Sequence, residues 1–466
     1  MAFSVEPSLD NFLVRHMNYF KNVGIEGSFK DRIKVLQDKM TTGSNKKPKV
    51  VILGAGPAGL MRAIQSISNG NPTQVIEKRS ENAEGRSNIV ALKPESIAML
   101  KYCGIYQYLI NTNLIYPPNY EGYICVRLTD LEQAMKEVLK RLTPEQIIKY
   151  DSKVNDIIEA GNKIDLVIEA TDQQKSKIPN VDILVNAEGS QSTTNNLLKI
   201  TRKDVLPNIP VIAAFFQNPK VHNLSSFVGY TNKRIIQVAM TIYYHTLFCV
   251  KLICQKKFRE QIKGAIILKT PKHNYVGCAF SDEVNVRLLS LKKRVDELKE
   301  SNETIQNELT RAEREYNAYA RDWINLSICA ANIVGLITGF EHLIGRSNDY
   351  FYMGCNDTVD KFNIINIAAD RADKYCGKYK QTQTAVLLVG DACATVDPTT
   401  GLGCNTAIQS STAFLDFIWD YDKKTIDKSL KEYKMQIDKR VDEIHDASKR
   451  RRIAYRPDAV VVPSNA

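Results

Sequence analysis

Lys49-Val50-Val51-Ile52-Leu53-Gly54-Ala55-Gly56-Pro57-Ala58-Gly59-Leu60 is the stretch on which the fold turns. Lys49 to Leu53 is short, apolar and β-branched, the composition of a strand buried on both faces. Leu60 to Ser68 continues in a helical pattern. Between them, Gly54 permits a tight turn, Gly56 lets the backbone approach a diphosphate, and Gly59 lets helix and strand pack closely. Pro57 and Ala58 open the helix, whose free amides meet the negative charge. A second strand, Gln74 to Glu77, ends on an acid at the spacing suited to ribose hydroxyls. Strand, glycine turn, helix and strand form the opening of a doubly wound α/β sheet and predict a bound dinucleotide.

A second motif, more than three hundred residues away, decides which dinucleotide. Val386-Leu387-Leu388-Val389 is a strand, followed by Gly390-Asp391-Ala392, then Asp397-Pro398, then Gly401-Leu402-Gly403-Cys404-Asn405-Thr406-Ala407. An acid at a strand end, a glycine turn and a new helix N-terminus make a second polar cradle. FAD has a ribityl chain and a flavin ring to hold, and a nicotinamide dinucleotide has no evident need of that cradle. Asp391 can accept from a ribityl hydroxyl. The amides from Gly403 to Asn405 can stabilise negative charge at the flavin N1/O2 edge. Pro398 and the Gly401–Asn405 loop are expected to line the flavin, which makes Pro398, Gly401, Gly403 and Asn405 the candidate catalytic positions.

Together the two motifs resemble those of the FAD-dependent class A monooxygenases, with the p-hydroxybenzoate hydroxylase fold. Gly390-Asp391 through Pro398, Gly401, Gly403, Asn405 and Ala407 carry that likeness. Within the class, the chain is most similar to the monooxygenase domain of the MICAL proteins. Those share helices before the first strand and a stretch like Glu77-Lys78-Arg79 followed by Arg86-Ser87-Asn88-Ile89-Val90-Ala91-Leu92. The likeness covers about residues 10–200 and 380–415. It implies a Rossmann-like FAD-binding domain of the GR2 type with a smaller, mostly antiparallel substrate domain. It also implies that Glu77, Lys78, Arg79, Arg86 and Asn88 contact FAD, and that Arg127, ending a strand Ile124–Arg127, does so too. The implied activity is substrate oxygenation with NADPH and O2 through a flavin C4a-hydroperoxide.

Two departures stand out. The class motif Asp-Gly-x-x-Ser-x-x-Arg reads Glu188-Gly189-Ser190-Gln191-Ser192-Thr193-Thr194-Asn195, with a longer acid and no arginine. The class Arg-x-x-Leu is also displaced, since Asp130 holds the Leu position and Leu131 follows one residue late.

Around these motifs the chain divides into a helical region 1–47, the first part of the FAD-binding domain at 48–204, a substrate domain at 205–383, the second part of the FAD-binding domain at 384–422, and a C-terminal helix and tail from 423. Apolar runs at Val211–Phe216, Ile235–Met240, Thr246–Ile253 and Gly264–Leu268 suggest the antiparallel sheet. A charged helix over 284–325 keeps apolar residues at a 3–4 spacing. It fits an amphipathic helix lying on its own domain, a short coiled coil, or a helical hairpin. The tail carries Lys449-Arg450-Arg451-Arg452. The cluster reads as a solvated face or as a site for an acidic partner, and it or the charged helix is where a protein partner would be expected.

The net charge of +11 favours acidic partners or a phosphorylated coenzyme such as NADPH, and no nucleic-acid partner is expected. Ten cysteines without a CxxC pair read as free thiols of a reducing compartment, and six scattered histidines predict no metal. The N-terminus has no apolar h-region, and polar residues interrupt the longest apolar stretch, Ile235–Cys254. The expectation is a soluble, cytoplasmic enzyme. Two other functions share these features: an FAD-dependent reductase or dehydrogenase, and an FAD-containing interaction protein without turnover. The substrate is either an acidic protein's side chain, such as a methionine, or a small aromatic molecule.

Overall fold

The computed structural model describes residues 47–83, 88–118, 122–143, 145–217, 262–269, 271, 273–300, 306–338, 361–397, 400–419, 421 and 425–455. Strand β1 (Val50–Leu53) enters the glycine turn and helix α1 (Pro57–Ser68) leaves it. Pro57 occupies the start of α1, where a missing amide costs nothing. β2 (Thr73–Ile76) returns parallel to β1, one residue earlier than the sequence suggests, so Glu77 stands just beyond its end. β3 (Ile89–Leu92) follows, then helices α2 (Pro94–Tyr102) and α3 (Ile105–Asn111), then β4 (Ile124–Arg127), which pairs antiparallel with β3. α4 (Leu128–Leu142) buries Leu131, Met135, Val138 and Leu142, a stripe at helical spacing, and packs on α1.

β5 (Ile148–Lys149) extends the sheet beside β2. β6 (Ser152–Ala160), β7 (Lys163–Ala170) and β8 (Lys175–Val181) then form a separate three-stranded antiparallel sheet. β9 (Ile183–Asn186) rejoins β1 in parallel, and a single helical turn, α5 (Thr194–Leu197), ends this half.

The next unit is a four-stranded antiparallel sheet of β10 (Arg202–Gln217), β11 (Ile262–Lys269), β12 (His273–Phe280) and a strand that follows two long helices. Those helices are α6 (Asp282–Glu300) and α7 (Gln306–Thr338), and the strand is β13 (Lys361–Ala372). Ion pairs Arg287–Glu315 (2.7 Å) and Lys299–Glu313 (2.9 Å) run between the two helices in antiparallel sense. Of the readings open for 284–325, the hairpin is the one found. Each helix alone would expose an apolar stripe, and folding back covers Leu288, Leu291 and Val295 on one and Ala312 and Ala320 on the other.

The first sheet resumes before Thr384. β14 (Cys376–Lys378) pairs antiparallel with β15 (Ala385–Leu388), and β15 lies parallel to β9. Helices α8 (Gly403–Gln409), α9 (Ser411–Trp419) and α10 (Ile426–Tyr455) complete the described chain. The main sheet has the order β14-β15-β9-β1-β2-β5. Its centre, β15, β9 and β1, is buried along its whole length, as a sheet covered on both faces requires. Leu53, Ile76, Asn186 and Leu388 lie in one register, so β1, β2, β9 and β15 end along a common edge. The carboxyl edge of such a sheet is where α/β folds place ligands.

The helices read before Met40 and the strands read within 235–254 lie outside the described residues, as do Arg86 and Pro398. Among the described residues no helix is long and apolar enough to cross a membrane, and no group of three or more His, Cys, Asp or Glu is placed to hold a metal.

Candidate functional site

The β1–α1 turn shows what each glycine is for. Gly54 has φ +96°, and a Cβ there would lie 2.6 Å from the Ala187 carbonyl oxygen at the end of β9. A Cβ on Gly59 would lie 1.9 Å from the Gly54 carbonyl oxygen. Both glycines are demanded by the protein's own packing. Gly56 is not: a Cβ there would find only Glu132 Oε1, at 4.0 Å. The space in front of Gly56 is therefore left open by the protein, and backbone faces it.

Glu77 closes this turn from the side. Its Oε2 accepts from the Ala55 amide at 2.6 Å, and its Oε1 accepts from the Arg79 amide at 2.9 Å. The Arg79 guanidinium donates to both oxygens, at 3.1 and 3.2 Å, and also sits 3.7 Å from Glu132 Oε2 on α4. Burial opposes ionisation of Glu77, but the hydrogen bonds from Arg79 and Ala55 outweigh it and hold the carboxyl below its usual range. Hydrogen bonding to Glu77 raises Arg79 against the effect of burial. Tyr150, beside this cluster, is pushed up to about 12 by burial and by Glu81 and Glu77. Lys78 is exposed on the loop between Glu77 and Arg79. Asn88 precedes β3 where β4 ends: Ile89 pairs with Arg127, and the Asn88 carbonyl accepts from the Leu128 amide at 2.8 Å.

The second cradle starts where β15 ends. Gly390, Asp391 and Ala392 form a 3-10 turn, with Gly390 at φ +58°. A Cβ on Gly390 would lie 2.8 Å from the Ala58 Cβ, so the second cradle rests directly on the first. Gly401, at φ +65°, has nothing within 4 Å of where a Cβ would stand. The helical bonds of α8 begin with the Thr406 amide donating to the Leu402 carbonyl at 2.8 Å. The amides of Gly403, Cys404 and Asn405 lie in the first turn, ahead of that bond.

The Asn405 side chain is committed away from the cradle. It is buried, and Oδ1 accepts from the Lys93 amide and the Ser96 hydroxyl, both at 2.8 Å. Nδ2 donates to the Ala91 carbonyl at 2.8 Å and the Gly401 carbonyl at 3.0 Å. Two donors and two acceptor sites are used, so the side chain has nothing left for a ligand. Asn405 is a strut tying the Gly401 loop to the β3–α2 junction, and only its backbone amide can face a flavin.

The Glu188–Asn195 segment is folded in on itself. Glu188 Oε2 accepts from the Ser192 hydroxyl at 2.6 Å and the Thr194 amide at 3.1 Å. Asn195, where the class motif has arginine, is buried and accepts from Asn186 Nδ2 at 2.8 Å. Four further side chains, none of them part of the motifs, support the site. Glu132 backs Arg79; a charged residue next to Leu131 on the buried stripe of α4 was its available signal. Ser448 on α10 accepts from the Asp397 amide at 3.3 Å, and His445 Nε2 lies 3.1 Å from the Thr395 carbonyl, a contact no local pattern announces. Arg62 is fully buried within α1, where a cation in an apolar run could have been noticed.

Comparison with known proteins fits this geometry. Residues 355–447 match the family model described as an FAD binding domain. No curated protein sequence matches the chain. Among solved structures, PqsL of P. aeruginosa in complex with 2-aminobenzoylacetate is similar with a TM-score of 0.54, at 15% identity over 89% of this chain and 97% of that one. The p-nitrophenol 4-monooxygenase PnpA from Pseudomonas putida DLL-E4 gives a TM-score of 0.53 at 14% identity, over 87% of this chain and 88% of that one. OxyS anhydrotetracycline hydroxylase from Streptomyces rimosus gives 0.52 at 15%, over 88% of this chain and 70% of that one. The chain has the fold of these proteins.

Proposed function

We propose that this chain binds one FAD across both cradles and is an FAD-dependent monooxygenase that draws electrons from NADPH. The observation that carries the reading is the close approach of Gly390 to Ala58, which brings two glycine turns from distant parts of the chain together, so that one elongated ligand could lie across both. The match of residues 355–447 to an FAD binding domain supports it, as does a fold shared with a nitrophenol monooxygenase and an anhydrotetracycline hydroxylase.

The residues fit the cofactor. The open backbone at Gly56, with the start of α1, would take the diphosphate, because no side chain fills that space and it adjoins the N-terminus of a helix. Arg79 would add a cation beside it, held in place by Glu77 and Glu132. Glu77, whose four acceptor sites are taken by the Ala55 amide and Arg79, would reach the adenosine ribose by giving up one of those donors, and Asp391 would face the ribityl chain. The first-turn amides of α8 would face the flavin N1/O2 edge, and Arg127 and Asn88 would add FAD contacts from the place where β4 ends and β3 begins. Bound FAD supplies the two-electron and oxygen chemistry; the protein orients it, fixes charge near the ring and keeps water out. Two electrons from NADPH and one O2 put one oxygen atom into substrate and release the other as water.

A MICAL-like reading would make the substrate a side chain of an acidic protein, which the charge of +11 favours. The closed Glu188–Asn195 segment favours a second reading, an FAD-dependent reductase or an FAD-containing partner-binding protein, since it offers no cation where the class motif has one. Following NADPH oxidation under labelled O2, with and without candidate substrates, separates them. Substrate-stimulated oxidation with label in the product is expected. Turnover without label indicates a reductase, and no turnover a binding protein.

A further inference from the structure

Arg62 sits where the fold has least use for a charge. Around it α1 buries Leu60, Met61, Ala63, Ile64 and Ile67, and the Arg62 side chain is itself fully buried. No salt bridge reaches it among the described residues. Its Nη1 donates to the Ala407 carbonyl and, at 3.4 Å, to the Ala58 carbonyl; its Nη2 donates to Ser410 Oγ at 2.8 Å; its Nε has no partner. Burial pushes the group down to about 10, with Tyr433 and Cys393 acting the other way, so it remains charged at neutral pH. A buried cation without an acid is expensive to keep, and an apolar residue would pack there at less cost.

Its acceptors show what the charge does. Ala407 and Ser410 lie at the C-terminal end of α8, where unpaired carbonyls carry the negative end of the helix and a cation is favourable. The other end of α8 is the turn that would face the flavin. α1, from which Arg62 projects, begins in the first cradle. One side chain therefore bolts the helix of the second cradle to the helix of the first.

We propose that Arg62 is a positioning residue for bound FAD, locking α8 onto α1 and offsetting the negative end of α8 so that the Gly403–Asn405 amides favour the reduced, anionic flavin. This rests on the FAD reading above. The test measures FAD affinity, the midpoint potential of the bound flavin and the melting temperature for wild type, Arg62→Lys and Arg62→Met. In Arg62→Met the preference for reduced over oxidised flavin is expected to fall about tenfold, which is about 30 mV for a two-electron couple. Arg62→Lys keeps the charge and should hold that preference within about twofold of wild type, even where its melting temperature falls as far. A purely structural role would lower the melting temperature and leave the potential alone. Should Arg62→Met fail to fold, Ser410→Ala removes one acceptor and keeps the charge, and should weaken FAD binding about fivefold at unchanged potential. Wild-type affinity in Ser410→Ala overturns the locking role. Wild-type protein that takes up no FAD overturns the FAD reading and the Arg62 assignment with it, whereas FAD uptake with a potential indifferent to Arg62→Met overturns the assignment alone.

Discussion

Of the three glycines in the β1–α1 turn, Gly56 is the one whose place the protein's own packing does not demand. Gly54 and Gly59 are fixed by carbonyl oxygens that a Cβ would strike, but a side chain at Gly56 would meet almost nothing of the protein. Its φ of −77° also suits any residue. Gly56→Val should therefore leave the melting temperature close to wild type. It should weaken FAD binding a hundredfold or more, about 2.8 kcal/mol, because the side chain would occupy the diphosphate's place. Stoichiometric FAD in folded Gly56→Val would show that the site is misplaced. The two acids make a paired test. Removing a charged acceptor costs about 1.5–3 kcal/mol, so Asp391→Ala should weaken FAD binding by one to two decades while leaving ADP binding nearly intact. Glu77→Ala should weaken both ligands, since Glu77 also holds the Ala55 amide and Arg79. Equal losses of FAD and ADP in Asp391→Ala would count against the ribityl assignment. Glu77 also sets a pH dependence. Its carboxyl is depressed in the folded chain, so its contribution is complete above the unfolded value near 4.5 and is lost as pH falls through the lower folded value. Glu77→Gln should flatten the acid limb of the stability curve below about pH 4.5 and leave the neutral region with no such slope.

At the level of elements, the two sheets are joined by a half-buried knot of hydrogen bonds. Arg202 of β10 donates to Asp370 of β13 at 2.8 and 2.5 Å and to the Ala392 carbonyl at 2.8 Å. Thr395 Oγ1 also donates to Asp370. Burial opposes ionisation of Asp370, but these donors outweigh it and hold the carboxyl below its usual range. Arg202→Ala leaves that acid short of donors and frees the turn that carries Asp391. We expect a loss of about 2–3 kcal/mol in stability, seen in denaturant melts, together with weaker FAD binding. Unchanged stability would mean that the two sheets are held by packing alone. Nothing in the sequence announces this pair, because its members lie on distant strands. What was legible is local: β1 with its glycine turn, the strand ending at Arg127, and the strand and turn around Gly390, each built from neighbours in sequence. The sheet from Ser152 to Val181 is not legible in this way, because its strands mix charged with apolar residues and are defined by one another rather than by any long run of apolar residues. The hairpin of α6 and α7 was readable only as one of several alternatives, since helical spacing fixes a face but not what covers it. Asn405 was placed correctly at the glycine turn, but its side chain points to partners in β3 and α2 that spacing could not supply.

Across the whole molecule, the carboxyl edge of one sheet gathers Gly54, Glu77, Glu188 and Gly390, and the second sheet with its hairpin is linked to it through β10 and β13. A receptor assembled from both ends of a chain explains why the two motifs lie so far apart and why Ala58, Gly390 and Ala407 need to be small where they touch. If one FAD spans both cradles, titrating the purified apoprotein with FAD will reach saturation at one FAD per chain and give a yellow protein that releases intact flavin on denaturation. A folded protein that stays colourless and shows no flavin signal at any FAD concentration would contradict it.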